Sequence, residues 1–590
     1  MSEGRMLGRV FRTGLAAAGM GLGVTFLAAC DMEAGAAGDA PGADLVLTGG
    51  EVWTGDPHQP SAEAVAVRGH RILAVGSDEE VLAYRGSATE EIDLDGRYLG
   101  PGFIDNHTHF NSAGRLLLGV NLLDVADEDA LVEEVSAAVD RLPEGAWLEG
   151  GSWGAYEAWE AGDAGDGGAD PDEMDEPDDP FTPHRDMIDP VTPDHPALLS
   201  RWDGDVHLAN ALALEEAGLT CDQAGVECED GEPTGILTPE AAGEVRAVIP
   251  SPSMEQRMDE ARVALEDLRE HGVTTIHDNT PPQQMEIFHR LLENDELTSR
   301  VLARPTLDHM ETYRDAGIPR GFGNRWIRVG AFKGFVDGIM GASTAMFYEP
   351  FEHTGEYGQW RNMMEPDGNL ERLIGEADEA GYWPNVHAIG DHAIDTLLTM
   401  YENVQEEQEV EHDRRWRVIH AQHLRDADVA ERMAELDVIA EMQPYHAIDD
   451  MRWMEERIGD RIRWTYAFRT LHEAGVPLSF GSDWPGTQAS WYPSNPLEGM
   501  YAAVTRETLD GEPEGGWVPE ERIDAETALR AYTVNNAYAE GSEDEKGQVA
   551  PGMLADLVVL DAHPLEVDGA ELKDIQVDLT IVDGEVVFRR

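Results

Sequence analysis

Eight short apolar segments, separated by stretches with helical periodicity, run through the middle of this chain. Apolar runs of this length predict buried strands, and their alternation with helices predicts a parallel sheet. Eight such units are typical of an α/β fold of the (β/α)₈ type, a TIM barrel. The predicted strands are residues 102–105, 273–276, 301–304, 327–332, 382–386, 417–419, 438–442 and 476–480.

The distance between the first two predicted strands is too long for a single connecting helix. We therefore predict a barrel over residues 101–544 that carries an inserted subdomain at about 111–270. Within the insertion, residues 162–179 are rich in Gly, Asp and Pro, which predicts an exposed acidic loop.

Short apolar strands bounded by Gly and Asp turns occur at both ends of the chain. Because both ends have this same strand and turn pattern, we predict one small composite β-sandwich built from residues 44–100 and 545–590. The fold class is thus a barrel with a large insertion after its first strand, plus this second, smaller domain.

The charge balance excludes one class of function. The chain carries 117 acidic against 42 basic residues, a net charge of −75, and such a surface repels nucleic acid and anionic headgroups. We therefore expect a small-molecule substrate and no nucleic-acid partner, while a monomer and a homodimer both stay open. Only Lys333, Lys546 and Lys573 are lysines, which fits either a salt-adapted surface or the codon bias of a GC-rich genome.

The N-terminal segment resembles an export signal. Three arginines within the first twelve residues precede an apolar stretch at 14–29, too short for a comfortable membrane span. It ends in Leu-Ala-Ala-Cys, which resembles a bacterial lipobox with Cys30 as the lipidated residue. We predict a lipoprotein signal at 1–30, a flexible tether at 31–43, and an exported protein anchored by lipid alone on the periplasmic or extracellular side. The alternative is an ordinary signal peptide that happens to contain a cysteine.

Two further cysteines, Cys221 and Cys228, lie seven positions apart. In an oxidising compartment they can close a small disulfide, and free thiols are the alternative. No CxxC pair occurs in the sequence, which disfavours a thiolate zinc site.

Residues able to bind a metal follow the predicted strands at their carboxyl ends, the face where barrel enzymes place their active sites. Imidazole and carboxylate groups are standard ligands for Zn²⁺ or a similar divalent ion. Each residue alone has an ordinary structural explanation, such as a hydrogen-bonded histidine or a turn-forming aspartate, and their convergence on one rim favours the metal site. The six candidates are His107, His109, Lys333, His387, His420 and Asp483.

The motifs around these residues resemble one family. Residues 100–109 (GPGFIDNHTH) are similar to the first-strand signature of the amidohydrolase superfamily. Residues 332–338 with 343–345 are similar to the fourth-strand motif of its family-3 branch, the YtcJ-like and N-substituted formamide deformylase-like hydrolases. The motifs of the fifth, sixth and eighth strands have counterparts at 386–391, 419–422 and 481–485, and the resemblance extends over almost everything from residue 44 onward.

This resemblance implies a role for each candidate ligand. His107, His109 and Asp483 would hold one ion, and His387 and His420 a second. Lys333 would be carbamylated by CO₂ and bridge the two ions, with a salt-bridge role as its alternative. Whether one or two Zn²⁺ ions bind stays open.

The implied reaction is metal-assisted hydrolysis of a non-peptide C–N bond in an amide, an N-substituted formamide or a cyclic amide. Asp483 would take a proton from the attacking water and pass it to the leaving nitrogen. Two alternatives remain: a metal-dependent hydrolase of esters, lactones or phosphoesters, and a non-catalytic, lipid-anchored binding protein.

Five further residues are candidate substrate contacts, although each could equally serve in core packing or loop structure. They are Trp153, Tyr156, His277, Asp391 and His446. One departure from the family pattern lies in the insertion, where Asp205 occupies the position at which we expect a histidine.

Overall fold

The computed structural model describes residues 42–590 except 124, 126, 144, 155–180, 202–203, 411 and 487–490. The predicted signal and tether up to residue 41, Cys30, Tyr156 and the whole acidic loop at 162–179 lie outside the described residues. Among the helices that are described, none is both long and apolar enough to cross a membrane.

A closed parallel barrel occupies the centre, as the sequence predicts. Its strands form one four-stranded and one five-stranded sheet, which are joined by single parallel bridges between Thr306 and Lys333 and between Thr108 and Trp484. The strands, in order, are Phe103–Thr108, Val273–Asp278, Arg300–Ala303, Ile327–Val329 continued by Phe332–Phe335, Pro384–Ala388, Arg417–His420, Ile439–Met442 and Leu478–Phe480.

The fourth barrel strand differs from the prediction, which treated 327–332 as continuous. Ile327–Val329 pairs with the third strand, whereas Phe332–Phe335 pairs with the fifth. At the break the neighbouring chain contains Pro305, which has no N–H to donate, and the amide of Lys333 instead donates to the Pro305 carbonyl over 2.8 Å. Lys333 belongs to the second of these segments, and its side chain is buried.

Helices surround the barrel and bury one face each. In Met254–Glu270, for example, the Ser253 hydroxyl caps the first turn by accepting from the amide of Gln256, and Ala261, Leu265 and Leu268 pack inward at helical spacing. The described helices here are Phe110–Leu118, Met254–Glu270, Gln284–Glu293, Met310–Asp315, Asn369–Glu379, Asp391–Glu407, Ala427–Glu435, Pro444–Ile458, Phe468–Glu473, Pro496–Thr505, Ala525–Ala531 and Val534–Glu540, with 3₁₀ turns at Leu307–His309, Asn362–Met364, Gly459–Trp464, Pro519–Glu521 and Gly569–Asp574.

Between the first two barrel strands the chain forms a mixed six-stranded sheet with its own apolar core. Cys221 forms a disulfide with Cys228, which lies in the edge strand Val226–Glu229 of this sheet. Its strands are Val120–Asn121, Leu148–Trp153, Ala197–Arg201, His207–Ala209, Val226–Glu229 and Glu232–Leu237, and its described helices are Glu128–Arg141, Arg185–Ile188, Ala211–Ala217 and Pro239–Val248.

The two ends of the described chain combine in two facing sheets that enclose a separate core of Val, Leu and Ile side chains. The four-stranded sheet contains Ala43–Thr48, Ala64–Arg68, Arg71–Gly76 and Arg85–Asp93, with the short helix Asp78–Leu82. The six-stranded sheet contains Glu51–Trp53, Ser61–Ala62, Tyr98–Pro101, Leu557–Leu560, Val577–Val582 and Glu585–Arg589.

A buried ion pair connects this sandwich to the barrel. The Arg300 guanidinium lies 2.6 Å from Asp556 and 3.0 Å from Asp583. Because breaking a buried pair is costly, this contact holds the two units together.

Candidate metal centre

The structure brings all six predicted ligands to one cavity at the carboxyl ends of the barrel strands. The cavity has a volume of about 250 Å³, and His107, His109, Lys333, His387, His420 and Asp483 are among its lining residues. Parallel strands end on the same rim, which is why residues far apart in sequence meet here.

Three of the six form a tight cluster. The ligand atoms of His107, His420 and Asp483 all lie within 4.8 Å of one another. Asp483 Oδ1 lies 3.4 Å from His107 Nε2 and 3.1 Å from His109 Nε2. His107 is fully buried, whereas His109 is partly exposed toward the cavity mouth.

Hydrogen bonds fix the orientation of the two buried histidines. His107 Nδ1 donates to Glu441 over 2.9 Å, and His420 Nδ1 donates to the side-chain oxygen of Gln443 over 2.7 Å. The proton of each ring is therefore on Nδ1, and the unprotonated Nε2 faces the cluster. A metal-binding histidine offers its lone pair in the same way while its other nitrogen donates a hydrogen bond.

Glu441 is itself held by two buried arginines. Its carboxylate accepts from Arg304 over 2.7 Å and from Arg417 over 2.6 Å, inside the barrel. Burial alone would raise the pKa of Glu441, but the guanidinium groups of Arg304 and Arg417 hold it well below its usual range. The acceptor of the His107 proton is therefore a permanent anion.

Asp483 is also ionised. Burial opposes its charge, yet His107, His109 and His420 together hold the pKa of Asp483 well below its usual range. It can therefore accept a proton at neutral pH.

Lys333 is buried next to the cluster, with Nζ 3.3 Å from His107 Nε2. Burial, aided by Arg304, lowers the pKa of the Lys333 ammonium to about 7 against the opposing charges of Glu441 and Asp483. No carboxylate of the described residues lies within 4.0 Å of Nζ, so the salt-bridge alternative has no partner within that part of the chain.

His387 lies on the opposite side of His420, and the two ring centroids are 4.6 Å apart. Its Nε2 donates to the carbonyl of Gly338 over 2.9 Å, which leaves Nδ1 as the free lone pair of the ring. The loop after the fourth strand therefore sets the orientation of this histidine.

The donor set fits a divalent ion. Four imidazoles and a carboxylate converge, and Asn279 places its amide nitrogen 2.8 Å from His107 Nε2 and 3.2 Å from His109 Nε2. The Asn279 oxygen has no hydrogen-bond partner among the described residues, nor has His446 Nε2. Buried polar atoms are rarely left unpaired, so these orphaned atoms around a cluster of metal-binding groups agree with an ion at this position.

The five predicted substrate contacts are placed differently from one another. His446 lines the cavity and packs on Tyr492 with ring centroids 4.0 Å apart. Trp153 is instead buried in the apolar core of the inserted sheet, and Tyr156 lies outside the described residues.

His277 and Asp391 do not line the cavity either. His277 is buried inside the barrel, where Nε2 donates to Glu540 over 2.9 Å and Nδ1 accepts from Arg417. Asp391 begins a helix and accepts the amide of Tyr348 over 3.0 Å. Asp205, in the insertion, is likewise absent from the cavity lining.

Several residues around the site have no counterpart in the sequence prediction, namely Asn279, Glu441, Gln443, Gln422, Asp450, Arg361 and Arg457. A signal existed for Glu441: it is a charged residue within an otherwise apolar barrel strand, Ile439–Met442. A carboxylate in such a strand requires a buried partner.

A (β/α)₈ barrel with histidines, a lysine and an aspartate at its strand ends defines the class of metal-dependent hydrolases. The profile of the Amidohydrolase family matches residues 90–588. The chain therefore belongs to this family, in its family-3 branch, as the resemblance implied.

The chain is also similar to individual proteins. The chain is 32% identical over 542 residues to the protein LONG AFTER FAR-RED 3 of Arabidopsis thaliana, covering 88% of each chain. It is 27% identical over 572 residues to the N-substituted formamide deformylase of Arthrobacter pascens, covering 93% of this chain and 98% of the relative. A solved structure of an uncharacterized metal-dependent hydrolase from Pyrococcus furiosus superposes with a TM-score of 0.68 at 26% identity, covering 88% of this chain and 100% of that one.

Proposed function

We propose that this protein hydrolyses a non-peptide C–N bond in an amide, an N-substituted formamide or a cyclic amide. The observation that carries the proposal is the meeting of His107, His420 and Asp483 in a cavity that also contains Lys333. The similarity to a formamide deformylase supports the choice of bond and does not by itself identify the substrate.

The ligands fall into two groups. His107, His109 and Asp483 would hold one divalent ion, probed most simply as Zn²⁺, and His387 and His420 would hold a second. A bound ion acidifies water and polarises a substrate carbonyl.

Asp483 moves the proton. Because its carboxylate is ionised and lies at the cluster, it can take a proton from the attacking water and pass it to the leaving nitrogen. Amide nitrogen leaves poorly until it is protonated, so this transfer is needed to complete the cleavage.

Lys333 would carry a carbamate between the two ions. The reaction joins the neutral amine to CO₂ and releases one proton, so it requires an unprotonated lysine. Burial lowers the pKa of Lys333 to about 7, which supplies that form near neutral pH. A carbamate is an anionic oxygen donor and suits divalent cations better than an ammonium does.

The test combines elemental analysis with turnover. We expect close to two divalent ions per chain in the wild type and fewer in Lys333→Ala, with hydrolysis of N-substituted formamides lost on chelation and restored by Zn²⁺. A matched panel of formamides and the corresponding formate esters separates amide from ester hydrolysis. Absence of bound metal after gentle purification with zinc supplied, or turnover of the esters alone, would refute the proposal.

We also propose that the protein is exported and held at a membrane through lipidated Cys30. The sequence of residues 1–30 supports this, and a disulfide between Cys221 and Cys228 suits an oxidising compartment. Expression in a bacterial host should place the wild type in the membrane fraction and release Cys30→Ser into the soluble fraction; equal distribution of both would contradict the anchor.

A further inference from the structure

Two arginines line the cavity away from the proposed metal ligands. Arg361 follows the long loop after the fourth barrel strand, and Arg457 lies near the end of helix Pro444–Ile458. Both are held against the same short segment: Arg361 Nε donates to the Asp337 carbonyl over 3.2 Å, and Arg457 donates to the Gly341 carbonyl over 2.9 Å. The same segment, residues 337–341, therefore holds both side chains at the cavity.

Neither arginine has an ion-pair partner within the described part of the chain. No carboxylate there lies within 4.0 Å of either guanidinium, although acidic residues outnumber basic ones by 117 to 42. Asp450 also lines the cavity, but its carboxyl is engaged by Tyr466 and Gln422 at 2.6 and 2.8 Å. Burial lowers the pKa of Arg457 against the opposing charges of Asp450 and Glu456, which lie beyond 4.0 Å. Neither cation at the cavity wall therefore forms an ion pair within the described residues.

Apolar side chains share the cavity lining with these arginines and the proposed metal ligands. They are Phe335, Ile339, Met340, Ile389 and Trp453, and the Arg457 guanidinium lies 4.1 Å from the ring centroid of Trp453. A ligand that fills this cavity therefore contacts apolar side chains as well as the arginines.

We propose that Arg361 and Arg457 bind a carboxylate of the substrate, so that the substrate class is an amide whose substituent combines an apolar body with a terminal carboxylate. This inference rests on the proposed C–N hydrolysis and names the substrate of that same site. Arginine binds carboxylates through paired, charge-assisted hydrogen bonds. Arg457 is half-buried, and Arg361 is exposed at the cavity.

The same segment also holds one of the proposed metal ligands. The Gly338 carbonyl accepts from His387 over 2.9 Å, and it lies in sequence between the two carbonyl groups that accept from Arg361 and Arg457. Residues 337–341 therefore connect the two arginines with the proposed metal centre.

Binding can be measured without turnover. Isothermal titration of the metal-loaded protein with 3-phenylpropanoate and with the neutral 3-phenylpropanol compares two ligands that differ in the carboxylate. We expect the carboxylate to bind at least about 10-fold more tightly, and this preference to fall toward equality in Arg361→Gln and Arg457→Gln. The matched control is Arg469→Gln: Arg469 is exposed and its Nε also donates to a carbonyl, that of Arg522 over 3.0 Å, but it does not line the cavity.

Three results would overturn the inference. The first two are equal binding of 3-phenylpropanoate and 3-phenylpropanol, and no binding of 3-phenylpropanoate. The third is a preference for 3-phenylpropanoate that persists in both Arg361→Gln and Arg457→Gln, which would place its carboxylate on the metal. Turnover of N-formylphenylalanine against N-formylphenethylamine, which lacks only the carboxylate, separates the two proposals. Equal hydrolysis of both retains C–N hydrolysis and rejects the arginine site. Carboxylate-selective binding without hydrolysis of any formamide or amide retains the arginine site and rejects the reaction.

Discussion

Replacing Glu441 with Gln should destabilise the fold and weaken the metal site together. The substitution keeps the shape of the side chain and removes its charge. Glu441 is fully buried and is the only carboxylate of the described residues within 4.0 Å of Arg304 and Arg417, which are fully buried as well. Two guanidinium groups would therefore remain in the barrel without a counter-ion.

The expected magnitude follows from these contacts. Removing one partner of a buried ion pair typically costs about 3–5 kcal/mol of unfolding free energy, because the remaining charge is left uncompensated. His107 would retain an acceptor but lose an anionic one, and changes of this kind lower metal affinity by about 10–100-fold.

Urea denaturation of the metal-free protein measures the first effect, and competition for Zn²⁺ with a chelator measures the second. The matched control is Glu286→Gln, which removes an exposed carboxylate 2.8 Å from Arg290 and should cost less than about 1 kcal/mol. If Glu441→Gln loses no more stability than this control, the interpretation of the barrel interior as a charge-compensated network is wrong.

Three further predictions concern separate residues. Asp483→Asn should lower kcat by at least about 100-fold with the far-UV circular dichroism unchanged, since the proton carrier is lost; near-normal kcat would reject that role. Burial raises the pKa of the Asp450 carboxyl from 3.8 to about 8. Between these two pH values the folded protein keeps a proton on Asp450 that the unfolded chain releases, so the free energy of unfolding should fall as pH rises. Asp450→Asn should remove that slope in denaturation series between pH 5 and 8, and an unchanged slope would contradict the assignment. The double variant Cys221→Ser/Cys228→Ser should lose roughly 2 kcal/mol of unfolding free energy, and a midpoint in urea equal to that of the oxidised wild type would show that the disulfide is not stabilising.

The barrel could be predicted from the sequence because its strands are buried on both faces and form continuous apolar runs. The break in the fourth strand could not be predicted, since it depends on pairing with the neighbouring chain, where Pro305 follows the third strand. Register between strands depends on contacts that local patterns do not contain. The location of Trp153 in the core of the insertion was unpredictable for the same reason.

The grouping of strand-end residues was predictable from the common direction of the strands, whereas the residues that orient them were not. Glu441 acts on His107 from 334 positions away, and Asn279 approaches it from 172. Their spacing from His107 in the sequence forms no recognisable motif, because each residue belongs to a different part of the barrel. His277 illustrates the reverse case: a histidine near a strand end that serves the barrel interior and not the cavity.

The sandwich shared by both ends of the described chain has a consequence for how the protein folds. Arg97 donates to Asp578 across 481 positions of sequence, and Tyr98–Pro101 pairs with Leu557–Leu560. Contacts of such high contact order form late, because the entropy of closing the intervening loop must be overcome before they contribute. During folding the early half of the sandwich therefore keeps an open sheet edge until the C-terminal strands pair with it, and such an edge can pair with another chain. We therefore expect the yield of folded protein to depend on chaperone supply as well as on the final stability of the fold.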